Sequence, residues 1–92
     1  MSKKSVRVLI SGRVQGVFFR ASTCDMAQEL GLQGWVKNDS DGGVTAFFQG
    51  EEELVDKAIE WCRHGPPSAM VTEVEIQKEA FIDELTNFKI RY

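Results

Sequence analysis

Twice along this chain an apolar pattern of period two gives way to one that recurs every three or four residues, and each change of period passes through glycine. Val6, Val8 and Ile10 alternate with Arg7, Leu9 and Ser11, which defines a strand with one strongly apolar face. Beyond Gly12 to Phe19, the residues Cys24, Ala27 and Leu30 recur at helical spacing from Arg20 to Leu30, and Gly31 ends the run. Two starts are open to this helix. Ser22 with Asp25 forms a capping box that leaves Arg20 just outside, whereas a start near Phe19 has no capping side chain at all. The earlier start is the expectation, because an uncapped end keeps its N–H groups free for a bound anion.

The rest of the chain repeats the theme. Gly34 to Asn38 predicts a second strand, Asp39 to Gly43 a hairpin turn, and Val44, Ala46 and Phe48 a third strand ending at Gly50. Period two places Asn38 on the same face as Val36, so its amide lies at the edge of the core. Glu51 to Glu53 suits the positive end of a second helix, whose stripe is Leu54, Val55, Ala58, Ile59, Trp61 and Cys62; Arg63-His64-Gly65-Pro66-Pro67 closes it. Met70 to Gln77 predicts a fourth strand, with Thr72, Val74 and Ile76 on one face and Glu73, Glu75 and Gln77 on the other. After a loop over Phe81 to Asn87, Phe88 to Tyr92 alternates as a short extra strand. This order is the α+β, ferredoxin-like βαββαβ sandwich. Right-handed crossovers then put both helices on one face of a four-stranded antiparallel sheet. Residues 1–92 are expected to form a single domain.

Composition removes several classes of function. A net charge of −3 speaks against a general nucleic-acid binder. The basic start Met1-Ser2-Lys3-Lys4 is followed by a short apolar run broken by Arg7, which is no secretory signal, and nothing is long enough to span a bilayer. A cytoplasmic protein with no membrane contact is the expectation. Cys24 and Cys62 make no C-x-x-C pair and fall on apolar helical stripes, which predicts two buried, inert thiols. Asp39 and Asp41 lack the glutamate that would complete a calcium loop, so they are turn residues, and the acidic run at Glu51 is a helix start; no metal is expected.

The first change of period holds the densest chemistry: Gly12-Arg13-Val14-Gln15-Gly16-Val17-Phe18-Phe19-Arg20. A strand that turns through glycine into a helix presents unpaired N–H groups and the positive end of the helix dipole to one opening. Arg20 adds a guanidinium able to grip two phosphate oxygens at once. The Lys-[Ser/Thr] of a Walker A loop and the dinucleotide G-x-G-x-x-G are both absent. Spacing alone fits a plain βα turn equally well, and Arg13 reads as a support for the loop or the surface.

This block, followed by Gly34-Trp35-Val36-Lys37-Asn38, Gly42-Gly43-Val44 and Gly50, closely resembles the two signature blocks of the acylphosphatases, and the resemblance extends to Leu30-Gly31-Leu32, Gly65-Pro66 and the terminal Tyr92. It implies an enzyme that hydrolyses the carboxyl-phosphate bond of small acyl phosphates without a cofactor. It also implies that Arg20 binds the phosphoryl group together with the loop amides of Gln15, Gly16, Val17, Phe18 and Phe19, and that Asn38 orients the attacking water. Thr45 and Gln49 stand where the family often has acidic residues, and Lys37 where arginine is frequent; fine substrate preference is the property these departures would touch. The chemistry is self-consistent. A carboxylate leaves without a proton, so no general acid is needed, and what remains is positioning and charge stabilisation. A monomer that also takes phosphate or sulfate is expected, tolerant of many acyl groups. Phe18, Phe19 and Trp35 are expected in the core or the site wall, and the carboxylate of Tyr92 as a partner for Arg20. Two alternatives use the same fold: a small-anion module that does not hydrolyse, and an RNA-binding module for which Phe47 is the one well-placed aromatic.

Overall fold

The computed structural model describes residues 2–92. The chain runs β1 (Lys3–Arg13), α1 (Phe19–Glu29), β2 (Gln33–Asn38), β3 (Val44–Glu51), α2 (Glu52–Cys62), β4 (Met70–Lys78) and β5 (Phe88–Arg91). The sheet order is β4-β1-β3-β2-β5. Its first four strands are antiparallel, as the crossovers require, while β5 lies parallel to β2 and makes the sheet mixed. The four-stranded antiparallel expectation therefore holds, and the short extra strand, whose direction sequence left open, arrives from the far side of the sheet and not through a hairpin. Both helices cover one face, α1 over β2 and β5, α2 over β1 and β3.

Alternation decides which side chains form the core. Val6, Val8 and Ile10 of β1, Val36 of β2 and Val44, Ala46 and Phe48 of β3 point to the helices and pack with Phe19, Ala27, Val55, Ala58, Ile59 and Cys62. The opposite face of β3 is closed as well, contrary to a simple half-buried strand. There Phe47 stacks on Trp35 with ring centroids 6.0 Å apart. Gln49 receives the N–H of Ile82 and donates to its carbonyl, both at 2.8 Å, which binds the loop after β4 down on this face.

One expectation for β4 is corrected. The register shifts between Ser11 and Gly12, so Thr72 is the extra residue of a β-bulge; it is exposed, and Val71 packs against the core in its place. Gly12 permits this, since its φ of 124° suits glycine and a Cβ there would run into the Met70 carbonyl. The bulge lies immediately before the turn that leads into α1.

Candidate active site

The start of α1 lacks the usual helix-start devices. Phe18 holds the cap position in the left-handed region (φ 63°, ψ 23°), no side chain caps the helix, and its first turn contains no acidic residue. Gly16 is left-handed too, with φ 73°. The first helical bond runs from the Ser22 N–H to the Phe18 carbonyl at 3.0 Å; among the described residues no N–H group from Gln15 to Ala21 donates to any protein acceptor. Val14 and Phe19, both buried in the core, hold the two ends of this curl. The earlier of the two predicted helix starts is the one observed.

Arg20 follows, half-buried, with its guanidinium carbon 5.0 Å from the centre of the Tyr92 ring. A cleft of about 270 Å³ opens here, lined by Gly16, Phe18, Phe19, Arg20, Ala21, Ile90 and Tyr92. Phe18 and Tyr92 are 80% and 99% exposed, so two aromatic rings rim the opening above the arginine. The expected ion pair between the Tyr92 carboxylate and Arg20 is not present among the described residues; the ring makes the contact instead. A second depression, of about 200 Å³, is lined by Asp39, Asp41, Glu73 and Glu75, carboxylates that would repel a phosphoryl group.

The structure brings four of the expected residues to one cleft. Gly16, Phe18, Phe19 and Arg20 line the cleft, whereas Val17 packs against the core and neither Gln15 nor Asn38 is among the lining residues. Asn38 ends β2 on the helix-covered face, and two features link its surroundings to the cleft and the loop. The parallel register of β2 with β5 runs through Val36↔Ile90 to Lys37↔Arg91, one residue short of Asn38 and of Tyr92, whose ring lies over Arg20. The Gln15 side chain, half-buried, donates from Nε2 to the carbonyls of Asp39 at 2.7 Å and Gly43 at 2.8 Å, tying the loop to the residue after Asn38. Nothing in sequence spacing signals that second link.

These blocks sit inside a family match. The acylphosphatase family model covers residues 6–90. The chain belongs to the acylphosphatase family. An acylphosphatase of Pelotomaculum thermopropionicum is 42% identical over the full length of both chains, and one of Syntrophobacter fumaroxidans is 48% identical over all of this chain and 95% of its own. The solved structure of an acylphosphatase from Coxiella burnetii superimposes with a TM-score of 0.91 at 40% identity, covering 97% of this chain and 93% of that one. The reaction of this acylphosphatase is acyl phosphate hydrolysis.

The acylphosphatase fold places the remaining residues that the sequence singled out. Thr45 and Gln49 face away from the helices, Thr45 donating to the Asp39 carboxylate at 2.6 Å and Gln49 holding the loop at Ile82, so these departures serve packing and not the cleft. Phe19 is core, packed edge-on to Trp61, and Trp35 is buried on the far face beneath Lys37, Arg7 and Arg91. Both thiols are free; burial, helped by Asp25, pushes the half-buried Cys24 up, and burial alone pushes Cys62 up to about 12. Among the described residues no cluster of three or more His, Cys, Asp or Glu could hold a metal ion, and no helix is long and apolar enough to cross a membrane.

Proposed function

We propose that the open first turn of α1 holds the phosphoryl group of the acyl phosphate. The backbone N–H groups of Gln15, Gly16, Val17, Phe18 and Phe19 donate to its oxygens, Arg20 grips two of them, and Asn38 accepts a hydrogen bond from the attacking water. The water oxygen bonds to phosphorus as the bond to the carboxylate oxygen breaks. An amide cannot accept a proton at neutral pH, so the water's proton passes to a phosphoryl oxygen, giving a carboxylate and inorganic phosphate. No metal and no covalent enzyme intermediate takes part, and excess chelator should leave the rate unchanged.

The run of unpaired N–H groups beside Arg20 is the observation that carries this reading. Leaving out a helix cap costs about 1 kcal/mol. A left-handed aromatic residue costs roughly another 1–2 kcal/mol. A plain turn would need neither, whereas an anion site needs both. The same reading has a cytoplasmic monomer that binds phosphate or sulfate competitively and does not bind nucleic acid. Phe47, 2% exposed and stacked on Trp35, has no ring face free for a base.

Release of phosphate from acetyl phosphate by Arg20→Ala and Asn38→Ala tests the two roles. A lost donor of this kind costs on the order of 100- to 1,000-fold in rate, and a transition-state arginine up to about 100,000-fold. Arg20→Ala should lose turnover and phosphate binding together, and Asn38→Ala turnover alone. Near-normal turnover in Asn38→Ala would remove the water-orienting role.

A further inference from the structure

Between the phosphate loop and the hairpin stands one polar side chain whose hydrogen-bonding capacity is specified on both donors. The nitrogen of Gln15 points at two carbonyls, those of Asp39 and Gly43, and has one hydrogen for each. Each carbonyl already has a backbone partner: Asp39 accepts from the Gly42 N–H at 3.2 Å and Gly43 from the Asp39 N–H at 2.9 Å. The hairpin turn is thus closed without Gln15. Ordering a long amide side chain costs rotamer entropy of the same order as two such bonds return in water, so fold stability does not explain the arrangement.

Its position does. Gln15 lies between the buried Val14 and left-handed Gly16, at the first N–H of the unpaired run, and the carbonyl it grips belongs to the residue after Asn38. We infer that Gln15 is a positioning residue: its side-chain amide fixes the phosphate loop against the hairpin that carries Asn38, and so sets the gap between the bound phosphoryl group and the attacking water. This rests on the roles proposed above for the loop and for Asn38. The loop and the hairpin are separate pieces of chain joined to different strands, and Gln15 makes the side-chain hydrogen bonds between them among the described residues. A reacting pair displaced by about 1 Å loses on the order of 100-fold in rate, while a loop that keeps its own N–H groups keeps its anion.

Gln15→Met preserves length and removes both donors. Its kcat should fall about 10- to 100-fold while the inhibition constant of inorganic phosphate moves less than about threefold. Gln15→Glu supplies the test that a merely structural role would not pass. Ionised, its carboxylate faces two carbonyl oxygens and the joint is broken; protonated, its O–H donates to one of them. The kcat of Gln15→Glu, divided by that of wild type at each pH, should therefore climb as pH falls through the pKa of the new carboxyl, and the same ratio for Gln15→Met should stay flat. Unchanged kcat in Gln15→Met, equal loss of kcat and phosphate affinity, or a flat Gln15→Glu profile would each overturn the inference. Asn38→Ala measured alongside separates the two readings: if it loses turnover and Gln15→Met does not, the positioning role alone falls, and if it keeps turnover, the water-orienting role falls first.

Discussion

A negative charge at Ala21 should set stability and function against each other. Ala21 is exposed, lines the cleft, and occupies the third position of α1 in a first turn without acidic residues. A glutamate there suits a helix start, since it complements the dipole by about 0.3–1 kcal/mol and can reach the unpaired N–H groups. Relative to Ala21→Gln, which has the same shape, Ala21→Glu should stabilise the empty protein by that amount. The same carboxylate confronts the substrate. One charge about 6 Å from a phosphoryl group bearing roughly two meets a repulsion of about 1.4 kcal/mol at the dielectric constant of water and about 5.5 kcal/mol at an effective value near 20. Phosphate should then bind on the order of 10- to 10,000-fold more weakly, towards the lower end at physiological ionic strength. Urea unfolding without phosphate gives the first quantity, and phosphate inhibition of acetyl phosphate hydrolysis at two salt concentrations gives the second. Equal inhibition constants for the Glu and Gln variants would show that the anion does not sit at this turn. A glutamate less stabilising than glutamine would show that the turn's donors are not waiting for a negative partner.

Other outcomes follow from single residues. Phe18→Gly removes a left-handed strain of roughly 1–2 kcal/mol against a glycine entropy cost of about 0.5–1 kcal/mol, and the ring buries little, so urea unfolding should show no loss of stability. Losing one rim ring should also lower the kcat/KM ratio of benzoyl to acetyl phosphate by about 3- to 10-fold. Gly12→Ala should destabilise by at least about 2 kcal/mol, because the bulge needs φ 124° and space beside the Met70 carbonyl; a wild-type melting temperature would contradict this. Burial raises the Cys62 thiol to about 12, so the folded protein keeps a proton that the unfolded chain loses near pH 8.5. That contribution is intact below the unfolded pKa and lost as pH rises to about 12, so stability should fall more steeply in wild type than in Cys62→Ala by up to about 1.4 kcal/mol per pH unit. Parallel slopes would mean that the thiol titrates within the fold as it does outside it.

What could be read from sequence was what a local period controls. Alternation at Val6, Val8 and Ile10 named the core face of β1, and the same rule put Asn38 on the helix side of β2. It failed wherever a distant partner set the outcome. Alternation puts Thr72 on one face with Val74 and Ile76, but a bulge places two residues against one, and period two cannot be carried through it. Gln49 reads from sequence only as a departure touching substrate preference, because its partner, Ile82, lies 33 residues away in a loop with no pattern of its own. Gln15 was expected to contribute only its N–H, and the two carbonyls that take its side chain belong to a turn whose sequence says nothing about them. The terminal residue was assigned to the cleft, yet with its carboxylate and not its ring as the contact to Arg20.

The start of α1 shows why the uncapped helix end could be read. Two rules compete there: a Ser22/Asp25 capping box, worth about 1 kcal/mol, and the burial of Phe19, worth roughly 1.5–3 kcal/mol. Burial wins on magnitude. Phe19 is almost fully buried, packs edge-on to Trp61 at 5.5 Å, and its carbonyl accepts the Thr23 hydroxyl at 2.8 Å. Helical geometry must therefore begin at Phe19, one residue before Arg20 and three before the available cap. Because the core fixes that starting point, Arg20 falls within the first turn, and the donors that a later, capped start would have satisfied are left unpaired beside the cleft.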